Sequence, residues 1–254
     1  MLTEEQIQFY NDNGYLLVKG VFTREEAAAF RKEGHELIQR IYENETQDAT
    51  WKGAHQITEM PTQLLHCHDV QFYSAKFGKL IMDERLTDVV AALMGQPNVQ
   101  LHHTKMFIKP PEKGSPFPMH QDWPFFPHDN DTMMAAIIHF DNAPEEKGCV
   151  RVVPGSHKLG PLPTAADGNH LPLDEFPVES ATPCPAEAGD VLFFSYLTIH
   201  GSGVNTSNEE RTTLLIQMRD PLDPPSKQVH LSKGQGVMLR GINPIKQFIK
   251  AEML

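Results

Sequence analysis

Residues 98–109, Asn98-Val99-Gln100-Leu101-His102-His103-Thr104-Lys105-Met106-Phe107-Ile108-Lys109, run straight into Pro110-Pro111. A stretch rich in β-branched and apolar residues, stopped by prolines that cannot donate to a ladder, reads as a strand. Four more β-rich runs follow at 133–140, 149–153, 190–197 and 211–218, separated by clusters of Pro, Gly, Asn and Asp. Repeated short strands with turn signals between them predict an all-β sandwich or barrel. Upstream the texture is different. Thr3-Glu4-Glu5-Gln6 and Thr23-Arg24-Glu25-Glu26 have capping-box spacing. The first opens a short helix that should stop at Gly14, before an apolar strand over Tyr15–Val18. After the second, Ala27, Phe30, Gly34, Leu37, Ile38 and Ile41 recur at helical spacing. Asp83 caps a third helix, with Leu86, Val89, Val90 and Leu93 on one face and Gly95 as its stop. Residues 44–62 show no period. Segment 160–187, rich in Pro, Ala and Asp, reads as a long excursion over one face, and such loops are often functional. The expected architecture is mainly β with flanking helices. It is one domain over 1–254: a mostly helical buttress with an early strand (1–97), a barrel core (98–219) and a C-terminal extension (220–254).

Composition narrows the function. The 254 residues hold 22 Lys+Arg against 33 Asp+Glu, a formal charge of −11, which argues against nucleic acid or an anionic membrane as partner because both need a basic face. A local basic pocket for a small acidic ligand stays open. No window approaches the roughly 20 apolar residues that cross a bilayer. The N-terminal text has no basic n-region or apolar h-region, and the last residues, Ala-Glu-Met-Leu, are neither a prenylation box nor a peroxisomal tripeptide. Three cysteines, odd in number and unpaired by spacing, point to a reducing compartment, so a cytoplasmic location is expected.

Thirteen histidines are many for this length, and chemistry has to be sought among them. In Pro118-Met119-His120-Gln121-Asp122-Trp123, an extended strand would point His120 and Asp122 to one face. An imidazole and a carboxylate there, joined by a histidine from a distant strand, make a 2-His-1-carboxylate set that leaves three positions open, as non-haem Fe(II) oxygenases require. The candidate is His200, in Tyr196-Leu197-Thr198-Ile199-His200-Gly201-Ser202-Gly203. Arg211, eleven positions later, opens an apolar strand, and its guanidinium could grip a carboxylate bidentately. H-x-D alone is weak evidence, since a surface His–Asp pair would look the same. The combination is much more specific.

Three stretches carry a resemblance: FIKPPEKGSPFPMHQDWPFFP, EEKGCVRVVPGSHKLGP and AGDVLFFSYLTIHGSGVNTSNEERTTLL. Over roughly residues 98–219, with an echo in QFYNDNGYLLVKGVFTREE, the chain resembles the phytanoyl-CoA dioxygenase family of Fe(II)/2-oxoglutarate oxygenases. The resemblance implies a double-stranded β-helix, a cupin-like jelly roll with helices buttressing its larger sheet. It also implies Fe(II), 2-oxoglutarate and O2 as cofactor and co-substrates. His120, Asp122 and His200 would ligate iron, Arg211 would pair with the distal carboxylate of 2-oxoglutarate, and Ser202 and Lys109 would also reach that co-substrate. The implied reaction releases succinate and CO2 and hydroxylates a C–H bond of a small organic molecule. Asp122 in the carboxylate position favours hydroxylation over halogenation, while desaturation, epimerisation and ring formation use the same iron set. One departure is Ile138, where some relatives carry Trp. The competing reading is a cupin-like metal-binding module, or a non-oxygenase metalloenzyme such as an isomerase or hydrolase.

Other residues admit two readings. If strand 98–109 is regular, His103 and Lys105 share a face with Lys109. Lys105 then lies at the wet mouth of the barrel or meets an anionic substrate group, because a buried lysine without a partner is costly; a lysine merely solvated at the strand's start is the third reading. Gln121, Trp123, Phe125 and Phe126 flank the H-x-D and line a substrate pocket or fill core. Thr213 and Gln217 share Arg211's face and would line the co-substrate pocket. His66-Cys67-His68-Asp69 reads as a structural or substrate-side loop rather than a second metal site, His139 as a core histidine, and His157 as a turn residue.

Overall fold

The helices begin where their caps stand. In the computed structural model, which describes residues 2–42, 57–58, 61–166 and 168–245, α1 spans Glu4–Asn13 and α2 spans Arg24–Tyr42. Thr3 and Gln6 exchange the two capping-box hydrogen bonds at 2.9 and 3.2 Å, and Thr23 and Glu26 do the same at 2.8 and 3.1 Å. Gly14 ends α1 at φ 77°, a left-handed conformation that suits glycine. Two further helices, α3 (Ala75–Leu80) and α4 (Glu84–Met94), follow; Asp83 caps α4 and Gly95 stops it. The spacing missed α3, which is too short to show a period. Of the aperiodic 44–62 stretch, 44–56 lies outside the described residues.

Eleven strands are described. They are β1 (Tyr15–Val18), β2 (Leu65–His68), β3 (Val99–Lys109), β4 (Phe117–His120), β5 (Met134–His139), β6 (Val150–Val152), β7 (Thr182–Cys184), β8 (Val191–Ser195), β9 (His200–Ser202), β10 (Arg211–Arg219) and β11 (Met238–Arg240). Two antiparallel sheets result. The larger runs β1-β8-β5-β10-β3, and the far edge of β3 then pairs with β2 beside Lys105–Ile108 and with β11 beside Val99–Gln100. The smaller runs β4-β9-β6-β7. This is a jelly roll, mainly β with helices on one side. The five β-rich runs are β3, β5, β6, β8 and β10. The segment after residue 219 is not merely an appendage, since β11 extends the larger sheet.

Strand alternation sorts the side chains of the larger sheet into two sets. Leu214, Ile216 and Met218 of β10 and Ile138 of β5 join Leu37, Ile38, Leu86 and Val90 in the core beneath the helices. Arg211, Thr213, Leu215 and Gln217 face the other way, into a cavity of about 810 Å³ between the sheets. Ile138 therefore packs away from that cavity, and its neighbour Ile137 lines it.

Candidate metal centre and active site

β4 and β9 are adjacent in the smaller sheet, with His120 directly opposite His200 and the ring centroids 4.2 Å apart. Only glycine fits between them at position 201. A Cβ there would stand 2.7 Å from the Phe117 carbonyl oxygen and from the Met119 sulfur. Asp122 arrives by a different route from the expected one. β4 ends at His120, and Asp122 has helical dihedrals (φ −76°, ψ −21°) and opens a 3-10 turn over Trp123–Phe125. Strand alternation is therefore not what brings it round. The backbone N–H groups of Asp122 and Trp123 both donate to the Tyr196 carbonyl, at 2.9 and 3.2 Å, and fold the carboxylate back over the two imidazoles. Asp122 Oδ1 then lies 3.8 Å from His120 Nε2 and 3.8 Å from His200 Nε2. One ligating atom from each residue lies within 4.8 Å of the others, and this is the only such His/Cys/Asp/Glu grouping among the described residues.

The donor set suits a metal. His120 Nδ1 is 2.7 Å from the Pro118 carbonyl and His200 Nδ1 is 2.9 Å from the Thr198 carbonyl. A carbonyl only accepts, so both Nδ1 atoms carry the proton and both Nε2 lone pairs face Asp122. Burial pushes His120 down to about 3 and His200 to about 4, so both rings are neutral at pH 7, the form that ligates. Burial raises the Asp122 carboxyl while His120 opposes the shift. Gln217 donates to the other carboxylate oxygen, Oδ2, at 2.5 Å and so fixes its orientation.

Deeper along β3 and β10, Lys109 pairs in register with Arg211. Both are buried, and neither makes an ion pair among the described residues. Lys109 Nζ donates to Ser202 Oγ at 2.8 Å and to the Gly203 carbonyl at 2.7 Å. Arg211 donates from Nη1 to the Gly148 carbonyl, and its Nε has no partner. Burial holds Lys109 well below its ordinary value, with Arg211 lowering it further, and pulls Arg211 down to about 10. Two buried cations side by side without an anion are costly. A carboxylate between them would satisfy both. Thr213 stands beside Arg211 on the same cavity wall.

His103, Lys105 and Phe126 line the cavity, as does Phe125. Gln121 and Trp123 are not among its lining residues. The Gln121 amide is fully used: Nε2 donates to Gly160 and Leu197 carbonyls at 3.0 and 2.7 Å, and Oε1 accepts from Leu162 N at 2.8 Å. It pins the 160–187 excursion to the segment before His200. Trp123 packs against Phe126, Met133, Tyr196 and Leu197. The excursion in turn brings Gly168, Asn169 and His170 to the cavity, and the C-terminal segment brings His230. Neither histidine was singled out from the sequence; the length of 160–187 was the available signal for the first. His66 and His68 lie on β2 opposite Phe107 and Lys105 and join no metal grouping among the described residues. His139 is buried with Nδ1 3.3 Å from the Asp190 carbonyl, and His157 reaches the Asn11 carbonyl at 3.2 Å, both consistent with structural roles.

A 2-His-1-carboxylate grouping inside a jelly roll, with two buried basic side chains in the same cavity, is the arrangement that suits the class of iron- and 2-oxoglutarate-dependent oxygenases. The model of the phytanoyl-CoA dioxygenase (PhyH) family matches residues 10–213, and the chain belongs to that family. Among curated relatives, it is similar to a probable phytanoyl-CoA dioxygenase of Caenorhabditis elegans (30% identity, covering 84% of this chain and 74% of the relative). It is also similar to a probable alpha-ketoglutarate-dependent hypophosphite dioxygenase of Stutzerimonas stutzeri (28%, 84% and 77%) and an ectoine dioxygenase of Bordetella bronchiseptica (28%, 88% and 78%). Among solved structures, the epimerase SnoN in complex with Fe3+, alpha ketoglutarate and nogalamycin RO shares the fold, with a TM-score of 0.73 at 23% identity over 93% of this chain and 98% of that one. HygX from Streptomyces hygroscopicus, with nickel and 2-oxoglutarate bound, does so with a TM-score of 0.66 at 20% identity over 87% and 89%. The protein is thus an enzyme, a 2-oxoglutarate-dependent dioxygenase using Fe(II), 2-oxoglutarate and O2, and the binding-module reading gives way. No helix among the described residues is long and apolar enough to cross a membrane.

Proposed function

We propose that the enzyme hydroxylates an unactivated C–H bond of a small organic substrate, that His120, Asp122 and His200 hold the iron, and that Arg211, Lys109, Ser202 and Thr213 hold 2-oxoglutarate. The observation that carries this reading is the pairing of two features in one cavity: two proton-free Nε2 atoms converging on Asp122, and the buried Lys109–Arg211 pair that lacks an anion. Bound Fe(II), with 2-oxoglutarate and O2, supplies an oxidant able to break a C–H bond, while the co-substrate leaves as succinate and CO2.

The chain's own residues set the stage for that chemistry. The Pro118 and Thr198 carbonyls hold both imidazoles in the ligating tautomer, and Gln217 keeps Asp122 Oδ1 turned toward them. Arg211 and Lys109 orient the co-substrate by its distal carboxylate, with Ser202 held between Lys109 and the sheet. Phe107, Phe125, Phe126 and Phe194 exclude water from the cavity wall where the substrate would lie. The presence of Asp122, rather than a small residue, supports hydroxyl transfer as the outcome.

Two measurements test the proposal. His120→Ala should abolish Fe(II)-dependent formation of succinate from 2-oxoglutarate, by at least about a hundredfold for the loss of a ligand; retention of full turnover would overturn the assignment. Arg211→Ala should raise the 2-oxoglutarate concentration needed for half-saturation by about tenfold or more, the worth of a charge-assisted bidentate pair, with Fe(II) retention unchanged. Equal loss of iron would assign Arg211 a different role.

A further inference from the structure

The cavity holds a third cation that neither the metal nor the co-substrate uses. Lys105 lies on β3, four residues before Lys109 and on the same inward face, so its Cα is roughly 13 Å away along the strand. It is half-buried and forms no hydrogen bond or ion pair among the described residues; its ammonium rests 5.1 Å from the centroid of Phe107. The nearest acid that acts on it is Asp122, already committed to the metal centre. Histidines surround it rather than acids. His103 and His230 line the same stretch of wall with ring centroids 4.7 Å apart, and His68, opposite Lys105 across β2 and β3, lies 6.5 Å from His230. His230 reaches this position from the C-terminal segment with φ 51°, a left-handed conformation rarely held by a side-chain-bearing residue. Next to this basic corner the wall turns apolar with Phe125 and Phe126.

Charge balance sharpens the point. Fe(II) contributes two positive charges and Asp122 one negative. The 2-oxoglutarate dianion answers Arg211 and what the metal leaves over, and of the two lysines that remain Lys109 is held by Ser202 Oγ and the Gly203 carbonyl. Lys105 then remains uncompensated inside a low-dielectric wall, where an unpaired charge is most costly. The overall −11 charge does not supply the missing anion, because among the described residues only Asp122, already committed to the metal centre, acts on Lys105.

We propose that the substrate carries an anionic oxyacid head, a carboxylate or a phosphoryl group, that docks on Lys105 between His103 and His230, with an apolar body laid along Phe125 and Phe126 toward the metal. The inference rests on the oxygenase reading above and names the substrate class for it. It separates two anion subsites in one cavity, Lys109–Arg211 for the co-substrate and Lys105 for the substrate. Positioning by the head group leaves a carbon of the apolar body, rather than the head itself, beside the metal.

The test uses the whole protein loaded with Ni(II) and 2-oxoglutarate, which binds without turning over, and isothermal titration calorimetry with phenylacetate, 4-phenylbutyrate, benzylphosphonate and neutral phenylacetamide. At least one acid should bind about tenfold or more tightly than the amide, as a charge-assisted contact requires. The stronger of the carboxylate and phosphonate arms identifies the head group. Lys105→Met should bring that acid to within about twofold of the amide, Lys105→Arg should restore most of the difference, and the 2-oxoglutarate dissociation constant should stay within about twofold in both. The inference is overturned if no acid outbinds the amide, if the preference survives Lys105→Met, or if raising 2-oxoglutarate displaces the acid and so places it on Arg211. A wild-type protein that fails to retain Ni(II) and 2-oxoglutarate would instead overturn the site reading beneath it.

Discussion

Gln217 shows how much a single amide can govern at this centre. Its Nε2 donates to Asp122 Oδ2 at 2.5 Å, while its own Oε1 has no partner. An amide that spends its donor on a carboxylate and leaves its acceptor bare is placed for the carboxylate. Gln217→Leu should keep the fold and weaken Fe(II) affinity by about ten- to a hundredfold, the range expected for removing a partner that orients a ligand; metal titration of the apo protein measures it, and an unchanged affinity would refute the role. The proposed ligands His120, Asp122 and His200 were readable from sequence because an iron site restricts residue type to a few side chains, His and Asp among them. Arg211 was readable as a candidate because a guanidinium suits a carboxylate. Gln121 shows that proximity in sequence to His120 does not fix where a side chain points, since its amide is spent on three backbone groups. His170 and His230 stayed hidden because loops bring them in, and no period marks a loop contact.

At the scale of elements, the pairing of β4 with β9 decides whether the two histidines meet. These strands have four and three residues, too few for a pattern, and Pro118 and Gly201 sit within them. Reading the sequence therefore gave β1, β3, β5, β6, β8 and β10, assumed an extended run at β4 only from its H-x-D spacing, and left β2, β7, β9 and β11 without a pattern of their own. The assumption of a regular strand through Asp122 also failed here, since a turn anchored on the Tyr196 carbonyl does that work. Gly201 offers the sharpest test of the pairing. Its missing Cβ would fall 2.7 Å from the Phe117 carbonyl oxygen, a backbone atom that cannot swing aside. Gly201→Ala should push β9 from β4, lower thermal stability by about 1–3 kcal/mol as overpacking does, and cut retained iron more than Gly201-distant core changes of equal stability cost. Iron content measured beside the melting temperature separates the two effects.

At the scale of the whole molecule, the helical layer is tied together by charge as well as by apolar burial. Arg85, in the first turn of α4, donates to both Glu26 oxygens at 2.9 and 3.0 Å and to both Asp83 oxygens at 2.8 and 3.0 Å, with its guanidinium 4.6 Å over the Phe22 ring. Hydrogen bonds from Arg85 hold the Glu26 and Asp83 carboxyls below their ordinary values. Groups with depressed folded values stabilise the protein above their unfolded values, near 4, and lose that contribution as pH falls through the folded ones. Arg85 is 45% exposed, so screening keeps the gain to about 1 kcal/mol. Arg85→Met should therefore lower the melting temperature by a few degrees at pH 7 and by less at pH 3. An equal drop at both values would show that the stacking on Phe22, not the ion pairs, carries the effect.

The Gly14 carbonyl, at the end of α1, accepts from Thr198 Oγ1 at 2.7 Å and from Ser195 N at 3.0 Å, and the Thr198 carbonyl in turn holds His200 Nδ1 at 2.9 Å. The opening helix is therefore two hydrogen bonds from a proposed metal ligand that stands nearly two hundred positions later in the chain. Trimming the leading segment, fusing a bulky tag against it or nicking it with a protease would loosen the imidazole proposed to hold the iron. Preparations shortened there would lose cofactor before they lose shape.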